Sequence, residues 1–168
     1  MEIIPYMQID GIPTFRDSEI KGLWEKLEQE GIPRTFSRSS YFKCSEDFLY
    51  EMKNHNSLYV VMEEKQLVGV FWLNHFQEKF CQIHYWFYRK WWGQTERLGR
   101  EIFSAIFSWG VFDGLYGILP KDNSLAVRLA KKCGWKEIGV LPFGFYDEKE
   151  KVSKPSVIIY LTKDNLEV

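Results

Sequence analysis

Cysteine is scarce in this chain. Cys44, Cys81 and Cys133 stand far apart, and none belongs to a CxxC pair or to a Cys/His spacing that suits a metal ion. A disulfide framework or zinc site is therefore not expected, no metal is assigned, and the thiols read as buried or half-buried groups in a reducing compartment. Long hydrophobic runs are missing too. No apolar stretch approaches the ~20 residues that span a bilayer, so no membrane helix or membrane partner is expected. The opening Met1-Glu2-Ile3-Ile4-Pro5 lacks the basic start and apolar run of an export signal, which points to a cytoplasmic protein. Charge of either sign is in no excess: 22 basic and 23 acidic residues give a formal net charge of -1, which argues against general nucleic-acid binding. No repeat, low-complexity tract or Pro/Gly/Ser-rich linker interrupts the sequence. Its 168 residues suit one domain, 1–168, with a single core.

Aromatic side chains are what the chain has in quantity: 7 Trp, 9 Tyr and 13 Phe, or 17% of residues. Such rings build dense cores and also line pockets and interfaces, and a homodimer contact is left open by this composition.

Periodicity gives the order of elements. Glu2 to Ile9 reads as a short strand closed by the turn-like Asp10-Gly11. Asp17 or Ser18 then caps a helix with Ile20, Leu23, Trp24 and Leu27 at helical spacing, ended by Gly31 and Pro33. After a polar and aromatic stretch, Arg34 to Lys43, Ser45 reads as the N-cap of a short helix through Phe48, Leu49 and Met52. Ser57–Met62, Leu67–Phe76 and Phe80–Tyr88 are strands joined by polar turns, an antiparallel meander. A helix over Thr95–Trp109 follows, striped with Leu98, Ile102, Ala105, Ile106 and Trp109, and then a strand, Phe112–Leu119, stopped by Pro120. Asn123 or Asp122 caps another helix, with Leu125, Ala126, Leu129 and Ala130 on one side and Gly134 at its end. Trp135–Tyr146 and Ser156–Leu161 are the last strands, joined by the charged segment Asp147–Lys154. The helix between the strands ending at Tyr88 and beginning near Phe112 makes a right-handed crossover, so those two strands should be parallel. The expected fold class is α/β or α+β: a mixed, mostly antiparallel sheet of six to seven strands with a central parallel pair and helices on both faces.

Chemistry concentrates at the junction Arg89-Lys90-Trp91-Trp92-Gly93-Gln94-Thr95, where a strand feeds a glycine-bearing loop and then a helix N-terminus. Free backbone N–H groups and the positive dipole end there suit a phosphate; the plainer alternative is a strand-to-helix turn. The segment Ile83-His84-Tyr85-Trp86-Phe87-Tyr88-Arg89-Lys90-Trp91-Trp92-Gly93-Gln94-Thr95 resembles the fourth strand and pyrophosphate loop of the GNAT-superfamily N-acetyltransferases. It looks most like the ribosomal-protein N-terminal acetyltransferase branch, where "GYW" precedes "YWGKG". Asn123-Ser124-Leu125-Ala126-Val127-Arg128-Leu129-Ala130-Lys131-Lys132-Cys133-Gly134-Trp135 is similar to the family's second motif, N-x-x-A-x-x-L-x-x-K-x-G-F. With the order of elements, the resemblance covers nearly the whole chain.

The resemblance implies a GNAT-like sheet and acetyl-CoA as co-substrate. Backbone groups at Trp86, Phe87 and Tyr88 would pair with the pantetheine arm, and N–H groups of Trp92, Gly93, Gln94, Thr95 and Glu96 would hold the pyrophosphate. Asn123 and Ala126 would flank the cofactor, Asn123 while also serving as an N-cap. The chain departs from the pattern at Lys90, where Gln or Arg is usual, at Thr95, where a second small residue is usual, and at Ala130, where many relatives carry a tyrosine acid. For the amine's proton, His84 is the titratable group nearest neutral pH, unless it is simply a sheet histidine. Asp122 is a second candidate for orienting the acceptor, unless it caps the helix. A backbone N–H near Phe87 would polarise the thioester carbonyl. Phe36, Tyr41 and Phe42 fall where relatives form the acceptor-side lid. The implied function is an N-acetyltransferase acting on an amine of a small molecule, peptide or protein; the alternative is a catalytically inactive GNAT-fold factor that binds CoA or another protein.

Overall fold

The computed structural model describes residues 1–31 and 42–166. Strands are β1 (Glu2–Pro5), β2 (Gln8–Ile9), β3 (Ile12–Pro13), β4 (Ser57–Glu63), β5 (Gln66–Gln77), β6 (Phe80–Phe87), β7 (Gly114–Pro120), β8 (Lys136–Asp147) and β9 (Val152–Thr162). Helices are α1 (Asp17–Gln29), α2 (Ser45–Asn54), α3 (Thr95–Ser108), α4 (Ser124–Lys132) and α5 (Lys163–Leu166), with a 3₁₀ helix over Arg89–Gln94. Seven strands are hydrogen-bonded in the order β1-β4-β5-β6-β7-β9-β8, and β2 and β3 form a separate hairpin. The residues group into two compact units, Met1–Asn74 with His84–Trp92, and His75–Ile83 with Gly93–Val168.

In the first unit β1 lies antiparallel to β4, and β4 to β5, with a bulge at Val61/Met62. The β4–β5 turn puts Glu64 (φ 50°) and Lys65 (φ 63°) in the left-handed region, the backbone of a two-residue hairpin that matches strand twist. The expected single strand from Glu2 to Ile9 is instead β1 followed by the β2–β3 hairpin. Asp10 (φ 52°) and Gly11 (φ 79°) make its turn and let Gln8 pair with Pro13. Neither Asp17 nor Ser18 is the cap of α1: Arg16 is the N-cap, Asp17 is the first helical residue, and the Glu19 carboxylate accepts the Arg16 backbone N–H at 2.7 Å. Cys44, not Ser45, is the N-cap of α2, and Ser45 is its first residue. Ile20, Leu23, Trp24 and Leu27 of α1 and Phe48 and Met52 of α2 are buried. Trp24 packs against Phe42, Phe48 and Trp86 at ring separations of 5.5, 5.5 and 5.8 Å.

In the second unit β6 and β7 are parallel, as the crossover requires, through the pairs Phe80↔Gly114, Cys81↔Leu115 and Gln82↔Tyr116. β7 pairs with β9 from Gly114↔Thr162 to Pro120↔Ser156 and therefore begins at Gly114, two residues later than expected. The α3 stripe buries Leu98, Ile102, Phe103 and Ile106, with the Phe103 ring edge-on to Trp135 at 5.3 Å. Trp109 does not join it; it is the C-cap and 38% exposed, because the helix ends before another turn can carry its ring inward. Leu125, one of four residues expected on one side of α4, is 57% exposed, and only Ala130 of that helix is buried. Gly134 after α4 has φ +89°, and a Cβ there would stand 2.3 Å from the Asn165 carbonyl oxygen, so that position requires glycine.

The β8–β9 hairpin is closed by a buried carboxylate. Asp147 is 1% exposed, accepts from Lys154 Nζ at 2.9 Å through Oδ2, and takes the Lys149 and Glu150 N–H groups at 3.0 and 3.1 Å on Oδ1. The Lys154 ammonium, then those amides, hold its carboxyl down to about 2, against an ordinary 3.8. A carboxyl lowered by folding stabilises the folded state above its unfolded value and loses that contribution as pH falls through the folded value. Unfolding midpoints in urea should therefore drop between about pH 4 and pH 2. Asp147→Asn should lower the neutral-pH midpoint and flatten this acid limb.

Candidate active site

The end of β6 has two unlike backbone edges. Tyr88 N–H donates to the Val68 carbonyl of β5 at 3.0 Å, so by strand alternation Phe87 directs its N–H and C=O to the other edge. The Phe87 carbonyl accepts the Trp92 indole N–H there, at 2.9 Å. Trp91, 8% exposed, donates its own indole N–H to the Leu67 carbonyl of β5 at 3.1 Å. With both indoles spent on strand carbonyls, the segment folds back on itself. The expected open loop is a 3₁₀ helix running directly into α3, begun by Trp91 N–H to Tyr88 C=O at 2.9 Å. Arg89 fixes its start, its N–H on a Glu30 carboxylate oxygen at 2.7 Å and its Nε on the Glu30 carbonyl at 2.6 Å.

Gly93 follows with open space around it: a Cβ built there meets nothing within 4 Å, and its φ lies outside the left-handed region. Nothing inside the described protein requires glycine at 93, whereas a ligand approaching the backbone would. Gln94 Oε1 accepts from Arg97 at 2.6 Å. Thr95 and Glu96 open α3; the Glu96 carboxylate lies 3.8 Å from Arg100 and 3.7 Å from Lys132. The Glu96 carbonyl takes the Cys133 thiol at 3.7 Å, and burial pushes that thiol up to about 11.

Two of the strand residues expected to offer backbone groups to a cofactor have side chains packed inside the first unit. Tyr88 is 1% exposed and its hydroxyl donates to the Leu23 carbonyl at 3.0 Å, with burial raising its pKa far above the ordinary tyrosine range. The Trp86 ring sits 5.0 Å from Trp72 and 5.8 Å from Trp24. Phe87 keeps a backbone N–H on the edge away from β5. His84, half-buried, lies flat on the Trp72 indole, ring centres 5.1 Å apart and planes 8° from parallel.

In the second unit Asn123 caps α4, its Oδ1 accepting the Ala126 N–H at 3.2 Å. Asp122 is not the cap. It is exposed and contributes its carbonyl to the Ser124 N–H at 3.0 Å. Beside this helix lies a cleft of about 510 Å³ lined by Lys121, Ser124, Val127, Arg128, Lys131 and Lys132. Ser124, Arg128 and Lys131 recur at the 3–4 residue spacing that marks one helix face, the sequence signal for this basic cluster. Ala130 is 1% exposed and has no hydroxyl to offer. The Arg34–Lys43 stretch, with Phe36 and Tyr41, lies outside the described residues except for Phe42 and Lys43. Phe42 packs edge-on to Trp24 and Phe48, at 5.5 and 5.4 Å.

A family model for the acetyltransferase (GNAT) domain matches residues 17–136. The chain belongs to the GNAT acetyltransferase family. Among solved structures, the spermidine N-acetyltransferase of Vibrio cholerae with CoA and spermine is similar at TM-score 0.73 and 13% identity, covering 99% of this chain and 98% of that one. RimL, a ribosomal-protein alpha-N-acetyltransferase, in complex with coenzyme A, is similar at TM-score 0.71 and 13% identity over 90% and 92% of the two chains. An aminoglycoside acetyltransferase with coenzyme A and kanamycin reaches TM-score 0.69 at 13% identity, over 99% and 98%. At such identities the likeness is one of fold. No curated protein matches the chain in sequence. Among the described residues no group of three or more His, Cys, Asp or Glu is placed to hold a metal ion, and no helix is long and apolar enough to cross a membrane.

The open surroundings of Gly93 make it a clean probe of this GNAT site. Gly93→Ala should leave the thermal midpoint within a few degrees of wild type, since a Cβ there meets no protein atom within 4 Å, and should weaken acetyl-CoA binding in calorimetry. Unchanged affinity would remove the 3₁₀ segment from the cofactor site.

Proposed function

We propose that this GNAT domain is an acetyl-CoA-dependent N-acetyltransferase that moves an acetyl group to an amine of a small molecule, peptide or protein. One observation carries the reading: the Asn123-capped helix α4, whose face opens onto a cleft lined by Lys121, Arg128, Lys131 and Lys132. Coenzyme A is an anion with a pyrophosphate and a 3′-phosphate, and clustered Lys and Arg are the side chains that bind such groups. The second-motif sequence Asn123–Trp135 runs along this same helix. Acetyl-CoA supplies the thioester. The N–H of Phe87, on the edge of β6 away from β5, is the donor that would polarise its carbonyl. The N–H groups of residues 92–96 and the bare backbone at Gly93, at the entrance to α3, suit the pyrophosphate.

The acceptor must attack as a neutral amine, and an ordinary amine with pKa near 8 to 10 is mostly protonated at neutral pH. His84 is the group we assign to take that proton, with Asp122 orienting the acceptor. The C–N bond forms as the C–S bond breaks. The nitrogen gives up its remaining extra proton to water and the thiolate takes one from water, which leaves the amide and free CoA, since Ala130 stands where many relatives carry a tyrosine. That same Ala130 favours a second reading, a GNAT-fold factor that binds CoA without transferring acetyl groups.

Titration with acetyl-CoA, CoA and dephospho-CoA, read by thermal shift, tests the binding half. A ligand at 100 times its dissociation constant stabilises by about 2.7 kcal/mol. Dephospho-CoA should shift the midpoint less, and Arg128→Glu should erase the difference. Turnover against a panel of amines, polyamines and peptide N-termini tests the chemical half. His84→Ala should lower kcat by roughly 10²- to 10⁴-fold with little change in acetyl-CoA affinity, because a base acts in the transition state. Binding without transfer to any amine would establish the second reading, and absence of CoA binding would sink both.

A further inference from the structure

Asn74, near the end of β5, is 8% exposed, and its carboxamide can face only one way. Asn56 Nδ2 donates to the Glu51 carbonyl at 2.8 Å, a backbone group that can only accept. That leaves Asn56 Oδ1 as the end turned to Asn74, and it accepts from Asn74 Nδ2 at 2.9 Å. Two amides in series, oriented by one carbonyl, therefore spend the donor end of Asn74 and turn its Oδ1 away from Asn56. No donor among the described residues reaches that Oδ1. A buried oxygen without a donor is uncommon, and an apolar residue of the same size would avoid its cost.

We propose that Asn74 Oδ1 receives an N–H of the acceptor amine and so makes the site select primary amines over secondary ones, which rests on the acetyl-transfer reading. Asn74 and Trp72 are two residues apart on β5, so their side chains stand on one face. His84, on the neighbouring strand β6, lies flat on Trp72 with ring centres 5.1 Å apart. The orphan oxygen and the group assigned to take the amine's proton thus share one face of adjacent strands. Trp72 is 3% exposed, whereas His84 and Trp86 are half-buried, so the face is open on the β6 side. A carboxamide oxygen accepts a hydrogen bond without taking the proton, so Asn74 holds an N–H and does not compete with His84. The proton count gives the selectivity. Once His84 has taken the ammonium's proton, a primary amine keeps two N–H bonds. One proton is lost to water after the C–N bond forms, and the other stays on the product amide, on Asn74 Oδ1. A secondary amine keeps a single N–H, the one it must lose, and leaves Oδ1 unpaired.

The test is acetyl transfer by the full chain to the primary amine it turns over fastest and to the N-methyl derivative of that amine. Wild-type kcat/KM should favour the primary amine by about 10²-fold or more, since a site that holds a substrate N–H rejects an analogue lacking it. Asn74→Leu, similar in size and without the oxygen, should lower kcat/KM for the primary amine and change that for the N-methyl amine little. The preference should then fall below about tenfold, with acetyl-CoA affinity in calorimetry unchanged. Asn74→Ala carries the same comparison should Asn74→Leu fail to fold. An equal loss for both amines, as a purely structural carboxamide or a buried water on Oδ1 would give, overturns the proposal. So does a wild-type chain that uses the two amines alike. Transfer without the preference overturns this proposal alone, whereas transfer to no amine overturns it together with the acetyl-transfer reading.

Discussion

A carbonyl at the end of a strand must find a donor or bear the cost of dehydration, about 1–3 kcal/mol for an unpaired buried group. The organisation of the site follows from how this chain meets that requirement at β6. One edge is met by β5, through Tyr88 and Val68. On the other, the Phe87 carbonyl is met by the indole of Trp92, five residues on, while Trp91 reaches back to Leu67. Two side-chain bonds to strand carbonyls thus do what a ladder would otherwise do. They also set the conformation of the 3₁₀ segment that leads into α3. Tandem tryptophans here are a structural device: they shape the backbone of the turn through their indole N–H groups.

The abundance of rings has two destinations. In the first unit Trp24, Phe42, Phe48, Trp72 and Trp86 stack and meet edge-on at 5.0–6.0 Å, and each such pair adds roughly 0.5–1.5 kcal/mol beyond its buried area. The candidate base His84 rests on this cluster, face to face with Trp72. A ring held flat against an indole has little freedom of orientation, which is what a proton acceptor needs. In the second unit Phe76 and Phe80 remain about half exposed, with Phe76 stacked on Phe112.

Helix α4 divides its labour differently from α3. The buried stripe of α3 anchors it through Leu98, Ile102, Phe103 and Ile106. Only Ala130 of α4 is buried, and the helix is secured at its ends, by Asn123 on the Ala126 N–H and by the glycine turn at Gly134. Capping frees the rest of its surface for charge. Lys121, Arg128, Lys131 and Lys132 can then share one cleft without a hydrophobic face competing for the same positions.

The order of the main strands and helices, the parallel β6–β7 pair and a cap at Asp122 or Asn123 were legible in the sequence alone. Each depends on local periodicity, on a single side chain reaching three residues along, or on the handedness of a crossover, all of which act at short range. The family, too, was legible through the residues of the two motifs. The 3₁₀ turn at Arg89–Gln94 was not, because its cause is two indoles meeting carbonyls on Leu67 and Phe87, and no local pattern encodes a side chain's distant acceptor. The exposure of Trp109 and Leu125 was missed for a related reason: helical spacing shows which residues share a face, but only packing decides which part of that face is covered. Tyr88 belonged by motif to the cofactor strand, yet its hydroxyl is committed to Leu23, sixty-five residues away. Sequence determined which groups the chain brings, and tertiary structure decided which of them were already spent on the chain itself, because hydrogen bonds are satisfied wherever the fold brings a donor within reach.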